Sequence, residues 1–190
     1  AELLKQQRQK EIAEAQIQVQ IASEQKNIEL AQKQAERTKE SLRVTIVEPA
    51  NAEKAKQMAD AEDLEIPSVG VWSLWENNLV SDSDAIRQKA EDIIKKQIEI
   101  AALLEADTIL VVPGYDFASK PERIRYDVAY DRCVEAFRRL APEAEKAKVQ
   151  IGIENVWNRF LLSPLEMKNL LDTVDSDYVG AYFDVGNVIY

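Results

Sequence analysis

The chain has 190 residues, a net charge of −10 at pH 7, no histidine and one cysteine, Cys133. The lack of histidine excludes a Ser-His-Asp or Cys-His site and an imidazole-based zinc site within these residues. The acidic charge argues against binding to nucleic acid, and no apolar run is long enough for a membrane span. The cysteine usage is typical of a reducing, cytoplasmic compartment, and Cys133 is expected to be a small core residue.

Residues 1–62 differ in composition from the remainder, because every aromatic residue and every glycine lies after residue 62. We therefore expect two domains, 1–62 and 63–190. Residues 2–42 are rich in Ala, Gln, Glu and Lys, which predicts one long helix. A coiled coil needs two apolar positions in every seven residues. One of them is apolar throughout (Ile21, Ile28, Ala35, Leu42), but the other is occupied by Ile17, Glu24, Ala31 and Thr38. The pattern fits either an exposed helix without a fixed partner or weak coiled-coil pairing.

After this helix comes the β-branched stretch Arg43–Val47, then Pro49, which we expect to break the helix. A second helix is predicted from Ala52 to about Glu62. The Gln/Ala/Glu/Lys-rich helix followed by 47–54 (Val-Glu-Pro-Ala-Asn-Ala-Glu-Lys) resembles the C-terminal coiled-coil region of flotillin-type proteins. That resemblance implies a helical scaffold or interaction arm.

Four apolar runs in residues 63–190 are predicted to be buried strands, with amphipathic helices between them. The helices are expected after Ser83, over about 125–148, and after Ser163, where Ser-Pro-Leu-Glu has the pattern of a capping box. Alternation of strand and helix predicts an α/β fold with a four-stranded parallel sheet in sequential order. The strands are 66–72, 108–112, 149–154 and 178–184.

Two of these strands end in a lone acid, Glu154 and Asp184. In a parallel α/β barrel the carboxyl ends of the strands lie at the active-site face. Two acids from successive strands could therefore bind one divalent metal ion. The simpler alternative is that each acid caps the next helix or pairs with a buried arginine.

Four motifs in residues 63–190 resemble the sugar isomerase/epimerase family with the xylose-isomerase-like TIM barrel, near the hexulose-6-phosphate isomerases and ribulose-5-phosphate 3-epimerases. They are Leu-Glu-Ile-Pro-Ser-Val at 64–69, Ala-Asp-Thr-Ile-Leu-Val-Val-Pro-Gly-Tyr at 106–115, Ile-Gly-Ile-Glu-Asn-Val-Trp-Asn-Arg-Phe at 151–160 and Tyr-Phe-Asp-Val-Gly-Asn at 182–187. The resemblance implies that these are strands three to six of eight, a half-barrel. The chain starts at Ala1 and ends soon after Asp184, so we expect it to be a piece of a longer fold.

The resemblance also implies site residues. Glu154 corresponds to a metal ligand that is also a general acid/base, and Asp184 to a second ligand of Mn, Mg or Zn. Asn158 and Asn187 lie where the family contacts substrate, although asparagine is equally common in turns. Trp72, Trp75 and Trp157 could line a sugar pocket or pack in the core or rim. The family's remaining His and Glu ligands would lie beyond Tyr190.

The implied activity is metal-dependent aldose–ketose isomerisation or 3-epimerisation of a sugar or sugar phosphate through an enediolate. The metal polarises the carbonyl and carboxylates move the proton on the adjacent carbon. We expect the chain alone to be inactive, with a small sugar as partner, no nucleic acid, no direct membrane span, and a homo-oligomer through sheet edges or the helical arm. The alternative is a non-enzymatic helical scaffold with a degenerate domain attached.

Overall fold

The computed structural model describes residues 2–42, 48–114 and 124–189. The contacts divide the chain into two compact units, 1–48 and 49–190. This division falls before the compositional change near residue 62, because the second helix belongs to the second unit. The β-branched stretch Arg43–Val47 and Tyr115 lie outside the described residues.

The first unit contains α1, Glu2–Leu42, a single helix of 41 residues. The predicted long helix is thus confirmed. Its described apolar side chains are exposed, with Ile17, Ile21, Ile28 and Leu30 each more than half accessible. A helix without a buried face depends on intrinsic propensity and local pairs for its stability. We call α1 the helical arm.

The second unit begins with α2, Glu48–Ala61. The helix starts four residues before the predicted Ala52, and Pro49 lies in its first turn. Proline is tolerated there, because the first N–H groups of a helix have no partner within the helix. The predicted second helix is therefore present but begins at Glu48 instead of Ala52, and α1 ends at Leu42, before Pro49.

The sheet has four parallel strands in the order β1-β2-β3-β4. They are β1 (Ser68–Gly70), β2 (Thr108–Val111), β3 (Gln150–Glu154) and β4 (Val179–Tyr182). The strands lie within the predicted runs, but β1 and β4 are several residues shorter. The fold is α/β, a partial TIM barrel, as predicted.

Helices alternate with these strands: α3 (Asp84–Leu103), α4 (Tyr126–Ala147) and α5 (Pro164–Val174). The Ser163 hydroxyl accepts a bond from the Glu166 backbone, and the Glu166 carboxylate accepts one from the Ser163 N–H, which completes the predicted capping box. Ser83 caps α3. The core lies between the helices and the sheet; Phe137, Leu140 and Cys133 of α4 are fully buried in it.

The two faces of the sheet differ in residue size. Side chains of one row of registered partners, Val69, Ile109, Ile151 and Val179, point to the helices and form the core. The next row, on the opposite concave face, is Gly70, Leu110, Gly152 and Gly180. This row therefore has glycine at three of its four positions, and Glu154 lies on the same face, two residues after Gly152.

Candidate metal and active site

Glu154 and Asp184 lie at the same end of two adjacent strands. Glu154 is the last residue of β3 and is registered with Tyr182 of β4, and Asp184 follows two residues after Tyr182. The two carboxylates are near enough for Asp184 to contribute both charge and hydrogen bonding to the pKa of Glu154. The structure thus brings together the two acids that the sequence singled out.

Asn155 joins the two strands beyond the last ladder pair. The Asp184 backbone N–H donates to Asn155 Oδ1 at 2.8 Å, and Asn155 Nδ2 donates to the Asp184 carbonyl at 2.9 Å. The side-chain amide therefore makes the pair of bonds that another strand residue would make with its backbone. This contact holds Asp184 beside Glu154 after regular β pairing has ended.

Asn187 connects the two acids through one side-chain amide. Its Nδ2 donates to Asp184 Oδ2 at 3.1 Å and to the Asn155 carbonyl at 3.0 Å, with a longer contact of 3.5 Å to Glu154 Oε1. Asp184 Oδ1 accepts the backbone N–H groups of Gly186 at 2.7 Å and of Asn187 at 3.3 Å. Asp184 thus accepts the first two N–H groups of the short 3₁₀ turn Gly186–Val188, whose N-cap residue is Val185, and this agrees in part with the simpler capping alternative.

Burial raises the pKa of Glu154, and the neighbouring Asp184 carboxylate raises it further. Two carboxylates held this close repel each other once both are ionised. A divalent cation between them would relieve that repulsion, and carboxylate oxygens are the ligands that Mg²⁺ and Mn²⁺ prefer. The two acids therefore fit such an ion in donor type and charge.

The metal shell is incomplete within the described parts of the chain. No group of three or more His, Cys, Asp or Glu residues there could hold a metal ion. Glu154 and Asp184 are one pair, and Asn187 would add an amide oxygen only if its side chain turned over, since its nitrogen now faces the acids.

Asn158 lies buried in the loop after β3, with 1% of its surface exposed. Its Nδ2 donates to the Gly114 carbonyl at 2.8 Å, and its Oδ1 accepts the Phe160 N–H at 3.1 Å. These contacts fasten the loop after β3 to the end of β2. Neither of these bonds involves Glu154 or Asp184, and the predicted contact of Asn158 with substrate stays a prediction.

The same loop holds Arg159 and Leu161 at positive φ, 63° and 57°. A bulky residue rarely adopts this conformation unless its surroundings hold it there. Leu161 is 2% exposed and packs in the core, so burial maintains the conformation. The loop that follows Glu154 is therefore fixed at both of its ends.

The three tryptophans form one aromatic group at the carboxyl ends of β1 and β3. Ring centroids of Trp75 and Trp157 are 6.0 Å apart with planes at 30°, and those of Trp72 and Trp75 are also 6.0 Å apart. Trp72 is 82% exposed and Trp157 63%. The rings pack on one another and also present open faces, so a role in a sugar pocket stays a prediction.

Sequence reasoning missed the contact between Tyr182 and Ser68 across the concave face. Their hydroxyl oxygens are 3.0 Å apart, although β4 and β1 are separated by two strands. The tyrosine passes over Gly152, where an added Cβ would lie 2.9 Å from Tyr182 Cβ and Cδ2. In the sequence, the glycine at position 152 could have indicated this contact, because a glycine inside a strand often marks a place where a neighbouring group approaches closely.

The model of the xylose isomerase-like TIM barrel family matches residues 26–190, and the chain belongs to that family. Residues 26–62 lie within the match. The flotillin-like resemblance of residues 1–62 finds no support in any comparison, and no curated protein matches the chain. None of the helices over residues 2–42, 48–114 and 124–189 is long and apolar enough to cross a membrane.

Solved sugar epimerases have a similar fold. A D-tagatose 3-epimerase-like protein is 25% identical with a TM-score of 0.61, over 73% of this chain and 52% of that chain. D-psicose 3-epimerase with D-tagatose from Clostridium cellulolyticum H10 is 21% identical with a TM-score of 0.62, over 72% and 48%. A 3-keto-D-glucoside 4-epimerase from E. coli is 14% identical with a TM-score of 0.61, over 70% and 54%. The chain matches about half the length of these proteins.

Proposed function

We propose that this chain carries half of the metal-dependent active site of a sugar isomerase or epimerase. Glu154 and Asp184 would hold one divalent cation, Mn²⁺, Mg²⁺ or Zn²⁺, for aldose–ketose isomerisation or 3-epimerisation through an enediolate. The observation that supports this most directly is the pairing of the two carboxylates at the carboxyl ends of β3 and β4. Family membership and the epimerases of similar fold are consistent with it.

Glu154 and Asp184 would have different roles in this reaction. A bound cation would supply polarisation of the sugar carbonyl. Glu154 would remove or return the proton on the adjacent carbon, and burial and the neighbouring Asp184, which raise its pKa, make it a stronger base than an ordinary carboxylate. Asp184 would serve as a ligand only, oriented by Asn155 and Asn187.

The whole reaction needs more than these residues. Two carboxylates supply two protein ligands, and the second proton-transfer group on the opposite face of the sugar has no counterpart in the described acid pair. We therefore expect no turnover of pentulose or hexulose phosphates by the 190-residue chain. Turnover by a purified monomer with added Mn²⁺, lost in Glu154→Gln, would contradict this.

The proposed metal site can be tested without activity. Isothermal titration with Mn²⁺ should show one weak site per chain in the unmodified protein, and no heat above background in Glu154→Gln or Asp184→Asn. Asp131→Asn, at an exposed acid of α4, is the matched control and should titrate like the unmodified chain. Equal binding by all four proteins would show that Glu154 and Asp184 do not form the site.

A further inference from the structure

A groove runs along the outer surface of the second unit, between the helices α3 and α4. Ile98 lies buried at its floor, and Ala102, Leu103 and Ala147 complete its apolar lining. Leu103 is 46% exposed, although it belongs to a helix that packs on the sheet along its length. An apolar lining with a charged rim is the pattern of a protein interaction surface.

Described elements bound this groove on both sides. The α3 helix packs on β1 and β2, and Glu105, which follows it, pairs with Lys56 of α2 at 3.0 Å. The α4 helix packs on β3 and against α5. The groove lies on the helix side of the sheet, away from the concave face that carries Glu154, so it is separate from the candidate metal site.

An ion pair fixes the register of α3 against α4. Each of the two helices connects one strand of the parallel sheet to the next, so the helices run in the same direction. Glu91 of α3 pairs with Arg139 of α4 at 2.6 Å. One turn further along, Lys95 lies level with Glu143, and the turn after that places Glu99 level with Lys146.

The rim of the groove therefore alternates in charge both along each helix and across the groove. Lys95 and Glu99 line the α3 side, and Glu143 and Lys146 line the α4 side. Glu99 pairs with Lys96 of its own helix at 2.9 Å. Within the described parts of the chain, no ion pair involves Lys95, Glu143 or Lys146. Three of the four rim charges are thus available to a partner.

This charge pattern is complementary to itself. When two copies face each other across a two-fold axis that runs along the groove, α3 of one copy lies opposite α4 of the other at the same level. Lys95 then faces Glu143 of the other copy, and Glu99 faces its Lys146. At the apolar end of the groove, Leu103 faces the other copy's alanine at position 147. Like charges do not meet, and the apolar residues meet one another.

We propose that the groove between α3 and α4 is a self-association surface, and that its occupant is the same groove of a second copy of this chain. The pair is a parallel arrangement of four helices in which each Leu103 fills the apolar end of the other groove. Burial of this apolar end supplies the favourable free energy. The rim charges contribute little to affinity and select the partner and its orientation. This pairing leaves the sheet and its acids unchanged, so it stands whether or not Glu154 and Asp184 bind metal.

Two double variants with opposite rims test the charge pattern in the full chain. Lys95→Glu with Lys146→Glu makes the rim wholly acidic, and Glu99→Lys with Glu143→Lys makes it wholly basic. Each variant alone should raise the dimer dissociation constant at least ~10-fold in analytical ultracentrifugation, because like charges then face each other at all four contacts. An equimolar mixture of the two variants should form a heterodimer with the dissociation constant of the unmodified pair, whose total charge it shares.

The control for net charge is Lys54→Glu with Lys89→Glu. It changes the charge of the chain as much as the acidic rim does, but at exposed residues outside the groove. At physiological ionic strength, charges more than about 8 Å apart in solvent are largely screened. This control should therefore leave the dissociation constant unchanged.

The apolar end of the groove is tested with two exposed leucines. Leu103→Lys should raise the dissociation constant at least ~10-fold, because it places an unpaired charge in the apolar contact. Leu165→Lys, at a leucine of α5 that is 72% exposed, is the matched control and should leave it unchanged. Treated with a short bis-maleimide, Leu103→Cys should give a cross-linked dimer and Leu165→Cys almost none; the native Cys133 is buried.

Three outcomes would overturn the proposal. One is a monomer at all concentrations. A second is a dimer that persists in both rim variants and in Leu103→Lys, which would place the contact elsewhere, as on the helical arm. The third is a dimer lost in both rim variants and not recovered when they are mixed.

Discussion

The helical arm and α4 are both long helices, yet they differ in what stabilises them. The arm has 41 residues and its described large apolar side chains are exposed. The α4 helix has 22 residues and buries eight of them against the sheet and its neighbours. Burying one large apolar side chain contributes about 1.5–3 kcal/mol. Helix length alone is therefore a poor guide to the stability of a region; the area removed from water decides it.

The largest effect is expected in the core of the second unit. Phe137 is 0% exposed in α4, and Phe137→Ala should lower the free energy of unfolding by about 3–5 kcal/mol through lost burial and a residual cavity. Urea unfolding followed by tryptophan fluorescence measures it, since all three tryptophans lie in this unit. A loss under ~1 kcal/mol would show that α4 is no better anchored than the arm.

A smaller effect is expected at the end of the sheet. Asn155→Ala removes both bonds to the Asp184 backbone, and we expect a loss of about 1–3 kcal/mol from two partly buried groups left without partners. Mn²⁺ affinity should fall with it, because Asp184 is no longer held beside Glu154. Asn51→Ala, at an exposed position of α2, is the control and should change neither quantity. Unchanged Mn²⁺ binding in Asn155→Ala would limit Asn155 to a structural role.

Glu154→Gln should stabilise the protein in the absence of metal. Burial and Asp184 raise the pKa of Glu154 above its ordinary 4.5, so ionisation costs more in the folded than in the unfolded state. The cost is absent below the ordinary pKa and complete above the raised one. The gain should thus appear at pH 7 and vanish near pH 3; solvent screening limits it to under about 1 kcal/mol. Thermal unfolding of both proteins at pH 7 and pH 3 measures this stabilisation. An equal stabilisation at the two pH values would show that it does not come from the ionisation of Glu154.

The smallest effect is expected in the arm. Ile28 is 57% exposed, and alanine is the better helix former, so Ile28→Ala should change the free energy of unfolding by less than about 0.5 kcal/mol. Circular dichroism in urea would detect the arm directly through its helical content. A loss comparable with that of Phe137→Ala would mean that a partner covers this face of the arm.

The sequence was sufficient where a local pattern decides the structure. The helix over 2–42, the cap at Ser83 and the capping box at Ser163 each depend on residues within a few positions of one another. The pairing of Glu154 with Asp184 followed from strand order, since the carboxyl ends of neighbouring parallel strands share one edge.

Other features depended on contacts between distant residues. Asn155 follows a strand-end acid, and nothing in its own segment indicates that it would hold the backbone of Asp184. The Tyr182–Ser68 contact needs the gap over Gly152, which only the assembled sheet creates. From the sequence, Asn158 was equally compatible with a turn and with a contact to substrate. The structure shows the two hydrogen bonds by which its side chain fixes the loop after β3.

The buried cysteine of α4 can be used to measure how often α4 separates from the sheet. Cys133 is the only thiol in the sequence, it is 0% exposed, and burial raises its pKa. A thiol reagent can therefore react only with molecules whose α4 has separated from the sheet. The modification rate in native buffer then reports the free energy of that separation, with no denaturant and no engineered label.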